Sequence, residues 1–321
     1  MKCPFVSLAV VNYNGEKILE QCLKSLFRIN YPKRSYEVLV VDNFSTDKSL
    51  DILKKFSEAR LIRNSANMGY VGVNSCLKYA KGKYIFVLNN DLELGKNCVM
   101  ELVRIMESDL TIGIAAPKFI NFFDRNVQSG GTWVSRSFYT GHFKGTKKDK
   151  VKEIPYLGIE LVRADLVKKF GYIYDSDYFI YGEDLELSLR FRLIGYKTIF
   201  VPSALVYHMH SVTAQKVLKA RTTYFMERNL MLTFFKVFSV KNTLILFPYV
   251  IGMRILGLVK DMLSLKFDSL IARTKAILFI IFNPGMVYRK RKEMQALRKK
   301  DDKYILKIFS EKHLFKPKFV A

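Results

Sequence analysis

The sequence has little cysteine and none of the spacings that build a metal or disulfide framework. Its four cysteines are widely separated and form no CxxC pair: Cys3, Cys22, Cys76 and Cys98. Scattered thiols of this kind are typical of reduced cysteines in a cytosolic setting, and they argue against a zinc site or a disulfide-stabilised domain. We also expect no export signal, because the first two residues lead directly into FVSLAVV, an apolar run that is too short and wrongly flanked.

Two glycine-rich phosphate-binding patterns are also missing. No GxGxxG follows the first apolar run, and GxxxxGK[ST] occurs nowhere in the chain. These patterns bring backbone N–H groups close to a pyrophosphate, so their absence disfavours a dinucleotide-binding Rossmann domain and a P-loop domain.

Acidic residues are scarce in the last third of the chain. The whole sequence has 53 Lys and Arg against 29 Asp and Glu, a net charge of +24. Residues 211–321 hold 23 of these cations but only 7 of the acids. Such a segment favours an anionic partner, either nucleic acid or an acidic lipid surface.

The first part of the chain alternates short apolar runs with helix-like segments up to about residue 120. Continuous apolar strands separated by helices indicate a mostly parallel sheet with helices on both faces. Ligands of such sheets bind beyond the carboxyl ends of the strands. Here every one of those ends is polar: Asn12 to Asn14, Asp42-Asn43, Asn64 to Asn67, and Asn89 to Asp91.

Two of these polar ends carry an aspartate directly after an apolar run. Asp42 follows VLVV and Asp91 follows IFVLNN. Both carboxylates are predicted at the same edge of the sheet, where a nucleotide and a hard cation such as Mg²⁺ or Mn²⁺ could share them. Ordinary turn formation or helix capping is the alternative for each end taken alone.

Several segments resemble, in order, the motifs of family 2 glycosyltransferases with the GT-A fold. They are VVNYNG, VLVVDNFSTD, NMGYVGVN, YIFVLNNDLEL and YFIYGEDLELSLRFRLIGYKTIFVPSALVYHMHS. The last segment is similar to rhamnosyltransferase-like and galactofuranosyltransferase-like members in particular. The resemblance implies a Rossmann-like α/β catalytic domain at residues 1–235. Residues 1–117 would then bind the nucleotide sugar, and residues 118–235 would form the acceptor and catalytic half.

The resemblance implies a divalent cation, Mn²⁺ or Mg²⁺, that neutralises charge growing on the leaving diphosphate. Asp91 aligns with the last aspartate of the family's DxD motif, which coordinates the metal. Asn89 and Asn90 replace acidic residues of that motif, so a further ligand is expected. His208 matches a position at which similar enzymes add an imidazole ligand, and His210 is a weaker substitute.

The resemblance also implies which residues contact the nucleotide sugar. Asp42 resembles the aspartate that reads the base, and Tyr13 and Asn67 resemble further nucleotide contacts. Asn89 and Asn90 would contribute to the same site. Gly69 would keep the backbone close to the ligand. For Tyr13, packing under the first helix is the alternative.

Glycosyl transfer also needs a base, because an acceptor hydroxyl is too weak an acid to attack the anomeric carbon unaided. The GEDLELSLR segment is predicted to open a helix that carries Glu183 and Asp184 in its first turn. The resemblance assigns the base to Asp184. The alternative is an acidic helix start that faces Arg190 and Arg192. One base and no enzyme nucleophile imply inversion at the anomeric carbon.

Residues 236–321 form a basic tail of apolar runs broken by single cations such as Arg254 and Lys260. The uncharged run 242–253 is shorter than the ~20 residues of a spanning helix. We therefore predict amphipathic helices in a membrane interface, with these two cations reaching the headgroups. A packed helical subdomain and a shallow membrane hairpin are alternatives. Nucleic acid is disfavoured because the basic clusters lie among so many Leu, Ile and Phe residues.

The sequence as a whole predicts an inverting glycosyltransferase, peripheral or monotopic on the cytoplasmic side of the cell membrane. Its donor would be a UDP- or dTDP-sugar, and its acceptor a glycan or a polyprenyl-linked saccharide. A catalytically silent sugar-nucleotide-binding scaffold of the same fold remains an alternative, as does a nucleotidyltransferase.

Overall fold

The computed structural model describes residues 3–209 and 219–310. The first half of the chain alternates strands and helices, as the apolar periodicity predicts. Its elements are β1 (Val6–Asn12), α1 (Leu19–Leu26), β2 (Tyr36–Asp42), α2 (Ser49–Lys54), β3 (Ala59–Arg63), β4 (Tyr84–Asn89), β5 (Leu92–Leu94), α3 (Cys98–Ser108) and β6 (Ile112–Asn121).

The second part of the domain adds short strands and two helices before a long final strand. Its elements are β7 (Val127–Ser129), β8 (Thr132–Val134), β9 (Thr140–His142), β10 (Lys152–Glu153), β11 (Glu160–Arg163), α4 (Ala164–Phe170), α5 (Glu183–Leu193) and β12 (Lys197–His208). Two 3₁₀ helices, Lys33–Ser35 and Tyr70–Lys78, complete the connections.

The main sheet has the strand order β10-β12-β6-β11-β4-β1-β2-β3. Strands β1 to β4 are mutually parallel where they pair, and β12 runs parallel to β6. Strand β11 is antiparallel to both neighbours, so the sheet is mixed but mostly parallel. β5 pairs with the end of β12 and joins the two halves of the domain, opposing His208 to Leu92.

Both faces of the sheet are buried. Alternate side chains of β1 point to opposite faces, so Leu8 and Val10 belong to one apolar cluster and Ala9 and Val11 to another. The first cluster packs against α1 and α3, and the second against the Tyr70–Lys78 helix, α4 and α5. The predicted α/β architecture with helices on both faces is confirmed.

The last described part of the chain is helical. It consists of α6 (Lys219–Val237), α7 (Val240–Leu263), α8 (Phe267–Phe282), α9 (Pro284–Ala296) and α10 (Asp302–Leu306). α6 contacts α5, α8 and α9, and α7 contacts α8. The boundary at residue 235 predicted between domain and tail therefore falls in the last turn of α6.

Arg254 on α7 does not extend outward as the sequence predicts. It is fully buried, and its Nε lies 3.3 Å from the Glu227 carboxylate. Its guanidinium also donates to the carbonyls of Ser137 and Phe138, the latter at 3.0 Å. The prediction for Arg254 is wrong, because its charge is compensated inside the protein and not at a headgroup. Lys260 is exposed, as predicted.

With Arg254 facing inward, α7 keeps an apolar outer side. Within the described residues, α7 is long and apolar enough to cross a membrane, and α8 with α9 passes the same criterion as a pair bent by 75°. Large exposed apolar side chains on α7, α8 and the turn between them form what we name the apolar tail surface: Leu244, Ile245, Ile255, Leu256, Leu263, Leu265, Phe267, Ile271 and Phe282. The uncharged run 242–253 alone predicts a smaller apolar surface than the structure has.

Candidate active site

A row of hydrogen-bonded side chains joins the carboxyl ends of β4, β1 and β2, and we name it the donor edge. Asn90 Nδ2 donates to Asn12 Oδ1 at 2.8 Å, and Asn12 Nδ2 donates to Asp42 Oδ1 at 2.9 Å. The strand register produces this row, because Asn12 lies opposite Asp42 and the end of β4 lies beside β1. The polar strand ends therefore meet, as the sequence predicts.

Asp42 is fully buried at the donor edge. Its carboxylate accepts the backbone N–H of Ser45 at 3.0 Å and the Ser45 hydroxyl at 2.5 Å, besides the bond from Asn12. These contacts hold the loop between β2 and α2. A direct contact between Asp42 and a nucleotide base would require one of these hydrogen bonds to be exchanged.

Tyr13 stands beside this loop with 47% of its surface exposed. The alternative in which Tyr13 packs under the first helix is therefore wrong. Asn14 N donates to Ser45 Oγ at 3.0 Å, which joins the Tyr13 loop to the loop of Phe44. Phe44 is a second half-exposed ring that the sequence analysis did not single out. Its φ of 65° is unusual for a residue with a β-carbon, and the residue type alone does not predict this conformation.

The Gly69 backbone packs closely against another segment of the protein. Its φ is 66°, and a Cβ there would lie 2.3 Å from the carbonyl oxygen of Phe179. The segment before α5 therefore accounts for the glycine, and the expected approach of the Gly69 backbone to a ligand stays a prediction. Asn67 is exposed, and its Oδ1 accepts the Gly69 N–H at 2.9 Å, which shapes the same turn.

Asp91 and His208 lie side by side although 117 positions separate them. His208 Nε2 is 3.1 Å from Asp91 Oδ2, because β5 pairs with the last residues of β12. Gln128 Oε1 lies 3.3 Å from His208 Nδ1 and can fix the ring orientation. Asp91 Oδ1 is buried without a hydrogen-bond partner, which leaves an acceptor for a cation.

This pair fits a divalent cation that completes its coordination from a substrate. Within residues 3–209 and 219–310, no group of three or more His, Cys, Asp or Glu side chains is arranged to hold a metal ion. Mg²⁺ is commonly held by one or two carboxylates together with substrate phosphates and water, so two protein ligands are enough. Asn90 is engaged in the donor edge, and Asn89 faces the adjoining cavity. His210 lies outside the described residues.

A cavity of about 680 Å³ adjoins this pair. One wall is polar and comes from the region of β7 to β9, with Gln128, Ser129, Thr140 and His142. Another part of the lining is mostly apolar and comes from the segment before α5, from α5 and from α6, with Ile180, Leu185, Met226 and Leu230. His208, Asn89, Glu183 and Asp184 also line it. The cavity therefore unites the predicted base with one predicted metal ligand, whereas Tyr13, Asp42 and Asn67 do not line it.

Asp184 lies in the first turn of α5, which begins after Gly182 at a φ of 82°. Burial raises the pKa of Asp184 to about 6, opposed by the Leu185 N–H that donates to Oδ1 at 2.8 Å. Burial, reinforced by the charge of Asp184, raises the pKa of Glu183 well above its usual range, and Glu183 Oε2 has no partner. At neutral pH Asp184 is therefore mostly ionised, whereas Glu183 loses its proton less readily.

The arginines of α5 pair with acids other than the predicted base in the described part of the chain. Arg190 lies 3.4 Å from the carboxylate of Glu186, which also belongs to the first turn, and Arg192 pairs with Glu153. The alternative of an acidic helix start that faces these arginines therefore holds for Glu186 and Arg190 only. Glu183 and Asp184 pair with neither guanidinium and line the cavity.

Glu160 is a buried acid that the sequence analysis missed. It lies on β11, is fully buried, and has an unpartnered Oε1, while Tyr174 donates its hydroxyl to Oε2 at 3.3 Å. Burial raises the pKa of Glu160 well above its usual range, and the charge of Asp184 adds to this. The available signal was a glutamate inside the apolar run GIELV.

Residues 7–158 match the family model described as glycosyl transferase family 2. A poly(ribitol-phosphate) beta-glucosyltransferase of Bacillus spizizenii is 35% identical over 117 residues, covering 34% of this chain and only 18% of that protein. A dolichyl N-acetyl-alpha-D-glucosaminyl phosphate 3-beta-D-2,3-diacetamido-2,3-dideoxy-beta-D-glucuronosyltransferase of Methanococcus voltae is 23% identical over 243 residues, covering 71% of this chain and 74% of that protein.

The fold is similar to solved structures as well. The crystal structure of GalNAc-T7 with UDP, GalNAc and Mn²⁺ superposes with a TM-score of 0.62 at 20% identity, over 78% of this chain and 50% of that one. Its likeness concerns the fold. Residues 7–158 are therefore similar to a family 2 glycosyltransferase domain, and the chain has the GT-A fold.

Proposed function

We propose that the protein is a glycosyltransferase that moves a sugar from a UDP- or dTDP-sugar to an acceptor hydroxyl. The transfer inverts the configuration at the anomeric carbon. The observation that carries the proposal is the cavity in which Asp184, ionised at neutral pH, shares the lining with His208 and Asn89. A base of pKa about 6 is mostly ionised at neutral pH and still takes a proton readily.

In this proposal Asp184 removes the proton of the acceptor hydroxyl as its oxygen forms a bond to the anomeric carbon. The bond between that carbon and the donor's phosphate oxygen breaks, and its electron pair leaves with the nucleoside diphosphate. Burial and the charge of Asp184 raise the pKa of Glu183, so Glu183 loses its proton less readily than Asp184 and is not assigned as the base. Because no enzyme nucleophile takes part, a single displacement inverts the configuration.

The donor would lie along the donor edge, with Tyr13, Asn67 and the loop held by Asp42 around the nucleotide. Asn89 and Asn90 would stand near the diphosphate. Asp91 and His208 would hold Mn²⁺ or Mg²⁺, which when bound stabilises the charge of the leaving diphosphate. The unpartnered Asp91 Oδ1 supports this, as does the presence of UDP and Mn²⁺ together in the similar structure.

We propose a glycan or a polyprenyl-linked saccharide as the acceptor. The polar wall of the cavity suits a sugar, and its apolar wall suits a lipid portion. The two relatives support these classes by name, one acting on poly(ribitol-phosphate) and the other on a dolichyl phosphate sugar. The resemblance to rhamnosyltransferase-like and galactofuranosyltransferase-like sequences supports a dTDP- or UDP-sugar donor.

We further propose that residues 236–321 attach the catalytic domain, residues 1–235, to the cytoplasmic side of the cell membrane. The apolar tail surface supports this, together with the basic residues that follow it. The full-length protein should sediment with anionic vesicles, less with neutral vesicles, and less in high salt. Equal binding to both vesicles at all salt concentrations would contradict the electrostatic part.

A donor panel tests the central activity. Full-length protein with Mn²⁺ or Mg²⁺ should release nucleoside diphosphate from one UDP- or dTDP-sugar, faster with acceptor, and NMR of the product should show the inverted anomer. A silent scaffold would bind a donor without turnover. A nucleotidyltransferase would instead release pyrophosphate from a nucleoside triphosphate and a sugar phosphate. Either of those outcomes would overturn the proposal.

A further inference from the structure

The segment immediately before α5 has an unusual backbone. Phe179, Tyr181 and Gly182 have φ values of 61°, 66° and 82°, so three of four consecutive residues adopt the left-handed region. Residues with a β-carbon disfavour this region, and such a run persists only where surrounding contacts impose it. The segment leads directly to Asp184, so its shape sets where α5 begins.

Two adjacent side chains of α6 supply those contacts. Asn229 is fully buried, and its Nδ2 lies within hydrogen-bond distance of the carbonyl oxygens of Tyr178, Ile180 and Tyr181, at 3.0, 3.0 and 2.6 Å. Arg228 donates from Nη2 to the carbonyl oxygens of Asp177, at 2.5 Å, and Tyr178, at 3.1 Å.

The arginine also fixes the asparagine. Arg228 Nε donates to Asn229 Oδ1 at 2.9 Å, which sets the orientation of the amide so that its N–H₂ group faces the segment. One amide and one guanidinium thus satisfy the carbonyl groups that the left-handed backbone turns toward α6. Without them the carbonyls of Asp177, Ile180 and Tyr181 would lose these donors, whereas that of Tyr178 also accepts the Ile180 N–H at 2.7 Å.

The same segment also holds the turn of Gly69. The carbonyl oxygen of Phe179 accepts the backbone N–H of Tyr70 at 2.7 Å and that of Val71 at 3.4 Å. Gly69 has to be a glycine because of this approach. The segment therefore touches the donor half on one side and continues into the first turn of α5 on the other.

We propose that Asn229 and Arg228 are positioning residues that fix residues 178–182 so that Asp184 and the Gly69 turn are held in register. Neither side chain is placed on a substrate, and both act through the backbone they hold. The proposal rests on the proposed function for its catalytic part. Its structural part, that α6 holds the Gly69 turn through the segment, can be measured without turnover.

The test compares Asn229→Ala in α6 with a matched control, Gln295→Ala in α9. Gln295 is also an amide that donates to two carbonyl oxygens, those of Lys236 and Val237, at 2.6 and 2.9 Å. Gln295→Ala should lose a similar number of hydrogen bonds and keep its kcat. Asn229→Ala should lower kcat by ~10- to ~100-fold at saturating donor, the scale expected when a catalytic group is displaced by about 1 Å.

Hydrogen exchange provides the second measurement. In Asn229→Ala, peptides covering residues 69–72 and 178–185 should exchange faster than in Gln295→Ala, while β1 stays protected in both. Exchange that is no faster at either place would overturn the proposal. Faster exchange with a kcat equal to that of Gln295→Ala would overturn its catalytic part.

Arg228→Met keeps the apolar stem and removes the donors, so it serves if Asn229→Ala does not fold. It should accelerate exchange at the same two places and lower kcat less than Asn229→Ala, because Asn229 keeps its amide. A panel in which the unaltered protein turns over no donor would count against the proposed function, whereas the exchange result would still decide the structural part.

Discussion

The donor edge and the cavity beside it are both rich in buried polar groups, but they satisfy those groups differently. At the donor edge, Asn90, Asn12 and Asp42 bond to one another and to Ser45. In the cavity, Glu183 Oε2 has no partner. Nearby, Glu160 Oε1 and Asp91 Oδ1 are also unpartnered.

This difference distinguishes the residues that hold the loops in place from the residues that are available for the reaction. A fully satisfied buried network stabilises one arrangement of its loops. An unsatisfied buried carboxyl group costs folding free energy and is expected where a reaction needs it. The donor edge is thus built in advance of any ligand, whereas Glu183, Glu160 and Asp91 each have a buried carboxyl oxygen without a protein partner among the described residues. Substitutions at the two places should consequently have opposite profiles of stability and activity.

The largest effect is expected at Asp184. Asp184→Asn keeps the shape and removes the basicity, so kcat should fall by ~100- to ~10,000-fold, the range for loss of a general base. The apparent affinity for donor should change little. Glu183→Gln is the matched control, and it should be milder because the raised pKa of Glu183 makes it the less readily ionised of the two carboxyl groups. An equal or larger loss for Glu183→Gln in steady-state assays would assign the base to the wrong carboxyl group.

The next largest effect concerns Asp91. Asp91→Asn should lower kcat by roughly 100- to 1,000-fold, the scale of losing one electrostatic contact to the leaving group. The thermal midpoint should stay nearly unchanged because Oδ1 has no protein partner to lose. EDTA should abolish activity of the unaltered protein, and Mn²⁺ or Mg²⁺ should restore it. Asp109→Asn, at an exposed carboxylate, is the control. Full activity in chelator would exclude the metal role of both Asp91 and His208.

Asp42→Asn should show the opposite profile. It turns an acceptor-only carboxylate into an amide facing the Ser45 N–H and hydroxyl, so a buried donor loses its partner. We expect a loss of about 1–3 kcal/mol in the free energy of unfolding, measured by urea titration. The donor KM should rise while kcat changes less than in Asp184→Asn. Unfolding curves that superpose for Asp42→Asn and the unaltered protein would contradict the assignment of the donor edge as scaffold.

The smallest effect is a pH dependence of stability at Glu160. Its pKa is raised in the folded protein by burial and by Asp184, with Glu183 and the Tyr174 hydroxyl also facing it. The native state then binds the proton more tightly than the unfolded chain, so stability falls as pH rises above ~4.3. Glu160→Gln lacks this contribution, so its thermal midpoint should rise relative to that of the unaltered protein as pH increases above ~4.3. Thermal midpoints of the two proteins that change in parallel with pH would contradict this prediction.

Sequence reasoning reached the sheet and its polar edge because those depend on local periodicity and on the rule that parallel strand ends align. The resemblance paired Asp91 with His208, and the β5–β12 pairing gives the physical reason for their contact. Three features escaped it. The burial of Asp42, the Phe179 carbonyl against Gly69 and the inward turn of Arg254 all depend on side-chain contacts between segments far apart in the chain.

The pH dependence of kcat tests the central claim most directly. At saturating donor, acceptor and cation, Asp184 must be unprotonated to act, so kcat should fall as pH is lowered through its pKa of about 6. Log kcat should have a slope of about one on that side, and the residual activity of Asp184→Asn should lack this limb. A flat profile through this range, or an unchanged limb in Asp184→Asn, would contradict Asp184 as the base.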